Sequence, residues 1–193
     1  MPIGCDHKFV DSKCCLKCGW VPPPRGAPLP PALPQMALSL KQPWCVFMLD
    51  LPPEFRKTLE NRDWNTSFRG DVWVHASKGL TKLEFYEACE FALRAGVPRD
   101  LLPSFDGLKR GGIVGRWTIV DVMRPDGMTS SRVYPSTQAA FRPHPRKGDR
   151  WHMAGAHGII VENACAVPFV ECKGALGFWR VPADVLAKLA GSV

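Results

Sequence analysis

The sequence predicts an α+β domain preceded by a short metal-binding segment, and three observations predict it. Strand-like runs recur at 37–40, 71–77, 111–122 and 159–163, the later ones rich in β-branched or aromatic residues, and Gly and Pro punctuate them. One stretch, 81–93, switches to helical periodicity behind a capping box. Four cysteines and a histidine crowd into the first 18 residues. A length of 193 residues suits one domain of ordinary size plus a small appendage.

The composition bounds the function classes. Hydrophobic residues make up 46%, enough for a real core. The net charge of +7 favours anionic partners, of which nucleic acid is the commonest; a basic protein with no such partner is the plain alternative. No apolar run reaches the ~18 residues of a membrane span. The start, Met1-Pro2-Ile3-Gly4-Cys5, lacks the basic-then-apolar succession of a secretory signal. The remaining cysteines, Cys45, Cys89, Cys165 and Cys172, stand singly among apolar residues. That distribution predicts a reducing, cytoplasmic setting with one metal site and a few buried thiols.

Taken in order, residues 1–20 read as a zinc knuckle. Cys5 and His7 face Cys15-x-x-Cys18, and Gly19 permits the tight turn that lets two thiolates converge on one ion. Cys14 competes with Cys15 for the third position; the two-residue spacing to Cys18 favours Cys15. Phe9, Val10 and Trp20 supply a minimal core, and the metal would supply most of the folding energy. Four protein ligands leave no open position, so zinc here is structural. A free-thiol cluster or an unstructured arm is the alternative. Residues 21–35, VPPPRGAPLPPALPQ, form an extended Pro-rich linker; a ligand for a Pro-binding domain is the sharper reading.

Residues 36–193 form the main domain. A strand at 37–40 leads to Lys41-Gln42-Pro43-Trp44, with Pro43 suited to a first helical position and a helix over 44–51 stopped by Pro52-Pro53. The charged stretch 57–62, a turn at Arg69-Gly70 and a strand at 71–77 follow. Thr81 caps a helix with Glu84 at its third position, and Leu83, Phe85, Tyr86, Cys89, Ala92 and Leu93 supply its apolar face. Gly96 and Pro98 end it, and 101–103 adds a short helical turn. The strand at 111–122 carries glycines that allow a bulge. Residues 123–150 form a basic loop with Arg124, Arg132, Arg142, Arg146, Lys147 and Arg150, either a phosphate-holding surface or a solvated one. Beyond it, 151–163 ends in a strand, 166–170 continues as an edge strand tolerant of Pro168, 173–180 is a last strand and 182–189 a closing helix.

Residues 36–182 resemble the ASCH domain, a member of the PUA-like superfamily. The resemblance rests on Ser39, Lys41, Gln42, Pro43 and Trp44; on Lys57, Thr58, Glu60 and Arg62; and on Arg69-Gly70 and His75-Ala76-Ser77. Later pieces are the Gly112-Ile113-Val114-Gly115 strand, Trp151 followed by glycines and a strand ending in Glu162-Asn163, and the Gly-flanked 173–180. It implies a PUA-like small β-barrel with flanking helices and a cleft for a nucleobase or nucleoside. Lys41, Trp44, Lys57, Glu60, Arg62, Trp151 and His152 are then the ligand-binding candidates, with Trp64 a further stacking surface. On a strand Glu60 and Arg62 share a face. A carboxylate among cations suits the exocyclic amine of a base, and a buried structural ion pair is the competing account. His75 reads as a satisfied strand histidine, and Glu162 and Asn163 as buried anchoring groups.

The functional reading is a nucleic-acid or nucleotide-binding protein that recognises a base, modified or not, or single-stranded RNA or DNA. The first alternative is an amidohydrolase of N4-acylated cytidine. Relatives with that activity are understood to use a Lys and a Thr three residues on; here Lys57 matches, but the Thr position is Glu60. Lys57 and Glu60 are therefore the catalytic candidates of an altered mechanism. The second alternative is a zinc-dependent adaptor whose knuckle binds a protein.

Overall fold

A computed structural model describes residues 33–126 and 149–191, together with two short strands near the N-terminus. Those strands, β1 (Phe9–Val10) and β2 (Cys14–Cys15), pair antiparallel, Phe9 opposite Cys15 and Val10 opposite Cys14. Cys5, His7 and Cys18 of the predicted zinc set lie outside the described residues, as do most of the Pro-rich linker and the basic loop with Arg132, Arg142, Arg146 and Lys147.

The main domain is α+β. Six strands, β3 (Met36–Leu40), β4 (Leu59–Arg62), β5 (Gly70–Ala76), β6 (Gly112–Met123), β7 (His157–Glu171) and β8 (Phe178–Arg180), form one curled sheet in the order β4-β7-β6-β5-β3-β8. Only β3 and β5 run parallel; every other neighbouring pair is antiparallel. The curl comes from the long central pair. Between β6 and β7 the register slips at three places, and each unmatched residue bends its strand. Asn163 sits at one slip with φ 53°, a left-handed backbone that Asn tolerates better than most residues.

Alternation along β3 and β5 serves two cores. Leu38, Leu40, Val72, Val74 and Ala76 face one side and pack with Trp117 and Ile159 beneath α1 (Trp44–Leu49). Ala37 and Trp73 face the other, against Val185 and Leu189 of α3 (Ala183–Ala190). A third cluster joins Phe47 and Leu51 to α2 (Lys82–Arg94).

The helices begin for legible reasons. Pro43 stands just outside α1 as its cap rather than at its first position, and the helix stops at Leu49, ahead of Pro52-Pro53. Thr81 and Glu84 close the expected capping box on α2. The buried stripe of α2 is Phe85, Ala88, Cys89 and Ala92, whereas Leu83 and Tyr86 are 67% and 59% exposed. The predicted apolar face is thus rotated, because the core lies to one side of Phe85. Two further corrections concern polarity. Asn163 is exposed and donates to Thr118 Oγ1 at 3.2 Å instead of anchoring a core. Cys165 is exposed as well, while Cys45 and Cys89 are the buried thiols. The edge reading of 166–170 agrees with β7, whose C-terminal half pairs with β6 alone.

After β7 the chain turns back across the end of the sheet to reach β8. A Cβ at Gly174 would lie 2.3 Å from the His75 ring and 2.8 Å from Ser39 Oγ, so only glycine allows this crossing. His75 is 3% exposed. Its Nε2 lies 3.2 Å from Cys172 O, a carbonyl that can only accept, so Nε2 carries the proton of the neutral ring. Ser39 Oγ donates to Ala175 O at 2.8 Å, accepts from Trp179 Nε1 at 3.0 Å and lies 3.1 Å from Nδ1.

Burial depresses the His75 pKa from the ordinary 6.5, with the bond to Cys172 opposing. The folded ring therefore resists a proton that the unfolded chain accepts. His75 contributes stability above the unfolded value, and that stability is lost as pH falls toward the depressed folded value. Urea unfolding from about pH 7 to about pH 5 should show stability falling, with a shallower fall in His75→Gln. Equal slopes in the two proteins would remove His75 as the cause.

Candidate functional site

The cleft is built where β3 hands over to α1. Leu40 ends the strand, its carbonyl accepting from Ser77 N at 2.7 Å, and the chain turns through Lys41-Gln42-Pro43 into α1. α2 lies alongside. Between them opens a cleft of about 530 Å³ lined by Lys41, Gln42, Trp44, Glu84, Phe91, Arg94 and Met153, among others. Its volume falls in the range of small-molecule sites.

Trp44 and Phe91 form its apolar wall, ring centroids 5.8 Å apart and edge to face. Lys41 and Glu84 bridge its mouth by an ion pair. Lys41 first, then the Thr81 amide, hold the Glu84 carboxyl down to about 2, so it remains a carboxylate at any ordinary pH. Gln42 is 3% exposed; its Nε2 donates to Lys109 O at 2.9 Å, while Oε1 has no hydrogen-bond partner among the described residues.

Behind Trp44 lies a chain of charges. Lys57, 1% exposed, sits with Nζ 5.4 Å from the Trp44 ring centroid. Its ammonium donates to Glu60 Oε2 at 2.8 Å and to Leu59 O. Glu60 Oε1 lies 3.3 Å from Arg62 Nε, and Arg62 Nη2 donates to Ser39 O at 2.7 Å. Glu60 is thus held by a cation at each oxygen. Burial lowers the Lys57 pKa from the ordinary lysine range, and Glu60 opposes that shift. Local sequence explains the geometry. Glu60 and Arg62 alternate on β4, opposite Ile159 and His157 of β7, and so share a face. Lys57 lies before the strand, its N–H tied to Phe47 O at 2.9 Å, and its long stem reaches back to Glu60. Thr58 is exposed.

The structure therefore separates the predicted residues from one another. Lys41 and Trp44 line the cleft. Lys57 and Arg62 each pair with Glu60 behind it, Lys57 and Glu60 buried and Arg62 half-buried. Trp151 is 1% exposed and packs between Phe47 and Phe91, with centroids 5.7 and 6.0 Å away, as a core residue. His152 is half-buried, its Nε2 2.9 Å from Ala156 O. Trp64 packs edge-on against Phe178, with the Arg62 guanidinium 5.8 Å from its ring.

Sequence reasoning missed Gln42, Phe91 and Arg94 as cleft residues and read Glu84 as a cap alone. The signal available was the polar stripe on α2; nothing local says which element that stripe faces. Among the described residues no cluster of His, Cys, Asp and Glu is arranged to hold a metal, and no helix is long and apolar enough to cross a membrane. No protein-family model matches the sequence, and no curated protein matches it.

Proposed function

We propose that residues 36–193 form an ASCH-type domain of the PUA-like superfamily and that its cleft binds a nucleobase, presented by a nucleoside or a single-stranded nucleic acid. The observation that carries this is the cleft itself: an aromatic wall of Trp44 and Phe91 facing Lys41, with a buried amide oxygen at Gln42. Aromatic faces take any base by stacking, and a few fixed polar groups orient it. The curled six-stranded sheet with its few helices is compatible with the small β-barrel that this reading expects.

Binding is read by calorimetry with cytidine, adenosine and a short single-stranded RNA. Trp44→Ala should weaken it by roughly 1–3 kcal/mol. No binding of any of the three at millimolar ligand would end this reading.

A second reading, hydrolysis of an N4-acylated cytidine, draws on the contact of Lys57 with Glu60 and on the lowered lysine pKa. A lysine whose pKa is lowered by burial can act as a general base. Loss of the acetylated chromophore on incubation with N4-acetylcytidine would establish that chemistry. Zinc is the proposed cofactor of Cys5, His7, Cys15 and Cys18, a donor set of three thiolates and one imidazole suited to a closed tetrahedral site. A protein-binding role for that segment remains its own proposal, marked by sensitivity to Cys15→Ala and indifference to Trp44→Ala.

A further inference from the structure

The cleft opens at one end of the sheet, and that end has a chemical character of its own. Four neighbouring strands stop there. β3 ends at Leu40 and β5 at Ala76, side by side and parallel. β6 begins at Gly112, opposite Ala76, and β7 ends at Glu171, opposite Gly112. Just past each terminus stands a basic residue: Lys41 after β3, Lys78 after β5, Arg110 before β6 and Lys173 after β7.

Backbone bonds hold these residues in a row. Ser77 N donates to Leu40 O, Gly111 N to Ala76 O at 2.7 Å, and Cys172 N to Gly111 O at 3.1 Å. The Lys78 stem lies against Gly111, 3.7 Å from where a Cβ would stand. Adjacent strands are about 4.8 Å apart, so four cations span roughly 14 Å of rim. Lys109 adds a fifth on the same connection.

Lys78, Lys109 and Lys173 are exposed, and none of them, nor Arg110, joins an ion pair among the described residues. The acidic groups nearby are Glu84, which is taken by Lys41, Glu87 on the cleft wall, Asp50, which faces Lys109, and Glu171 at the end of β7. At the opposite end of the sheet, by contrast, Arg69 is neutralised by Asp121 at 3.0 Å.

We propose that this rim is a phosphate track, and that the partner is a single strand of nucleic acid whose backbone runs along Lys78, Arg110 and Lys173 while one base enters the cleft beside Lys41. The proposal rests on the base-binding reading for the cleft, but the rim makes a separate claim: the natural ligand is an oligonucleotide, not a free nucleoside. Lys41 is paired with Glu84 and the Arg110 guanidinium lies 5.3 Å from the Phe105 ring centroid, but Lys78 and Lys173, exposed and without an ion pair among the described residues, add self-repulsion to the fold. Phosphates at similar spacing would relieve that repulsion and release their own counterions. An anionic membrane offers the same charge, but among the described residues the large exposed hydrophobics are Leu83, Tyr86 and Leu176, of which Leu176 alone follows the rim's Lys173, short of the apolar face that interfacial docking uses.

The test is the salt dependence of binding by the full chain to a single-stranded RNA of about ten nucleotides, with cytidine in parallel. Each phosphate contacted contributes a slope of about −0.7 in log K against log salt, so three or four contacts give about −2 to −3. Lys78→Ala, Arg110→Ala and Lys173→Ala should each make the slope shallower by about 0.7 and leave cytidine affinity unchanged. Arg180→Ala, at the far end of the sheet, should change neither.

A slope near zero, or one indifferent to the three rim variants, overturns the track. Cytidine binding that survives in that case leaves the cleft reading standing. Rim-dependent binding of RNA that is indifferent to Trp44→Ala supports the track and defeats the cleft. Rim-dependent binding to phosphatidylserine vesicles without binding to RNA overturns the proposal in favour of a membrane surface.

Discussion

Lys57→Met is expected to lower the free energy of unfolding by about 3–5 kcal/mol, and Glu60→Gln by a similar amount. The reason is asymmetric desolvation. Both groups have left water, Lys57 at 1% and Glu60 at 7% exposure, and each is tolerated because the other compensates it at 2.8 Å. Removing one leaves the other buried and under-paired, which costs more than the intact pair contributes. Glu60 would retain Arg62 at 3.3 Å, so Lys57→Met should sit at the lower end of that range. The double variant Lys57→Met with Glu60→Leu should recover most of the loss, since no lone charge remains between them. Urea titration of the four proteins at neutral pH checks this. A loss below about 1 kcal/mol for either single variant would mean that water reaches the pair.

This bears on function as well. From sequence alone, Glu60→Gln looks like a clean probe of catalysis. In the folded chain it strikes a buried ion chain, so lost activity would say nothing until folding is verified. A hydrolase that used Lys57 as base would also have to expose Nζ, now enclosed by Glu60 and Leu59 O.

The second large effect is at Trp151. Trp151→Ala should cost about 3–5 kcal/mol, because the indole fills the space between α1 and α2 and is packed by Phe47 and Phe91. Trp151→Phe should cost far less. Its indole Nε1 has no hydrogen-bond partner among the described residues, so none is forfeited. Ligand affinity in Trp151→Phe should match the parent, whereas Trp44→Ala loses it. If Trp151→Phe abolished binding with stability intact, the indole would be a ligand contact and the cleft would extend further than its walls indicate.

Local structure was legible in the sequence wherever one short-range rule decided it. Thr81 and Glu84 cap α2 because a hydroxyl and a carboxylate three residues apart satisfy two orphan amides without help from the rest of the chain. The alternation of β4 put Glu60 and Arg62 on one face, and they do meet. The strands at 70–76 and 112–123 follow from β-branched and aromatic residues bounded by turns, whereas 36–40, Met-Ala-Leu-Ser-Leu, shows only apolar alternation.

What only the tertiary structure decided concerns elements that find each other across the chain. Which stripe of α2 is buried depends on where the core lies, so Leu83 and Tyr86 were assigned to the wrong side. Trp44 and Trp151 look alike as aromatic residues beside charged ones; packing makes one a wall and the other a core residue. The basic rim is invisible along the chain, since Lys41, Lys78, Arg110 and Lys173 are separated by dozens of residues. They become neighbours because hydrogen-bonded strands end in register, and register is set by the whole sheet rather than by any segment of it.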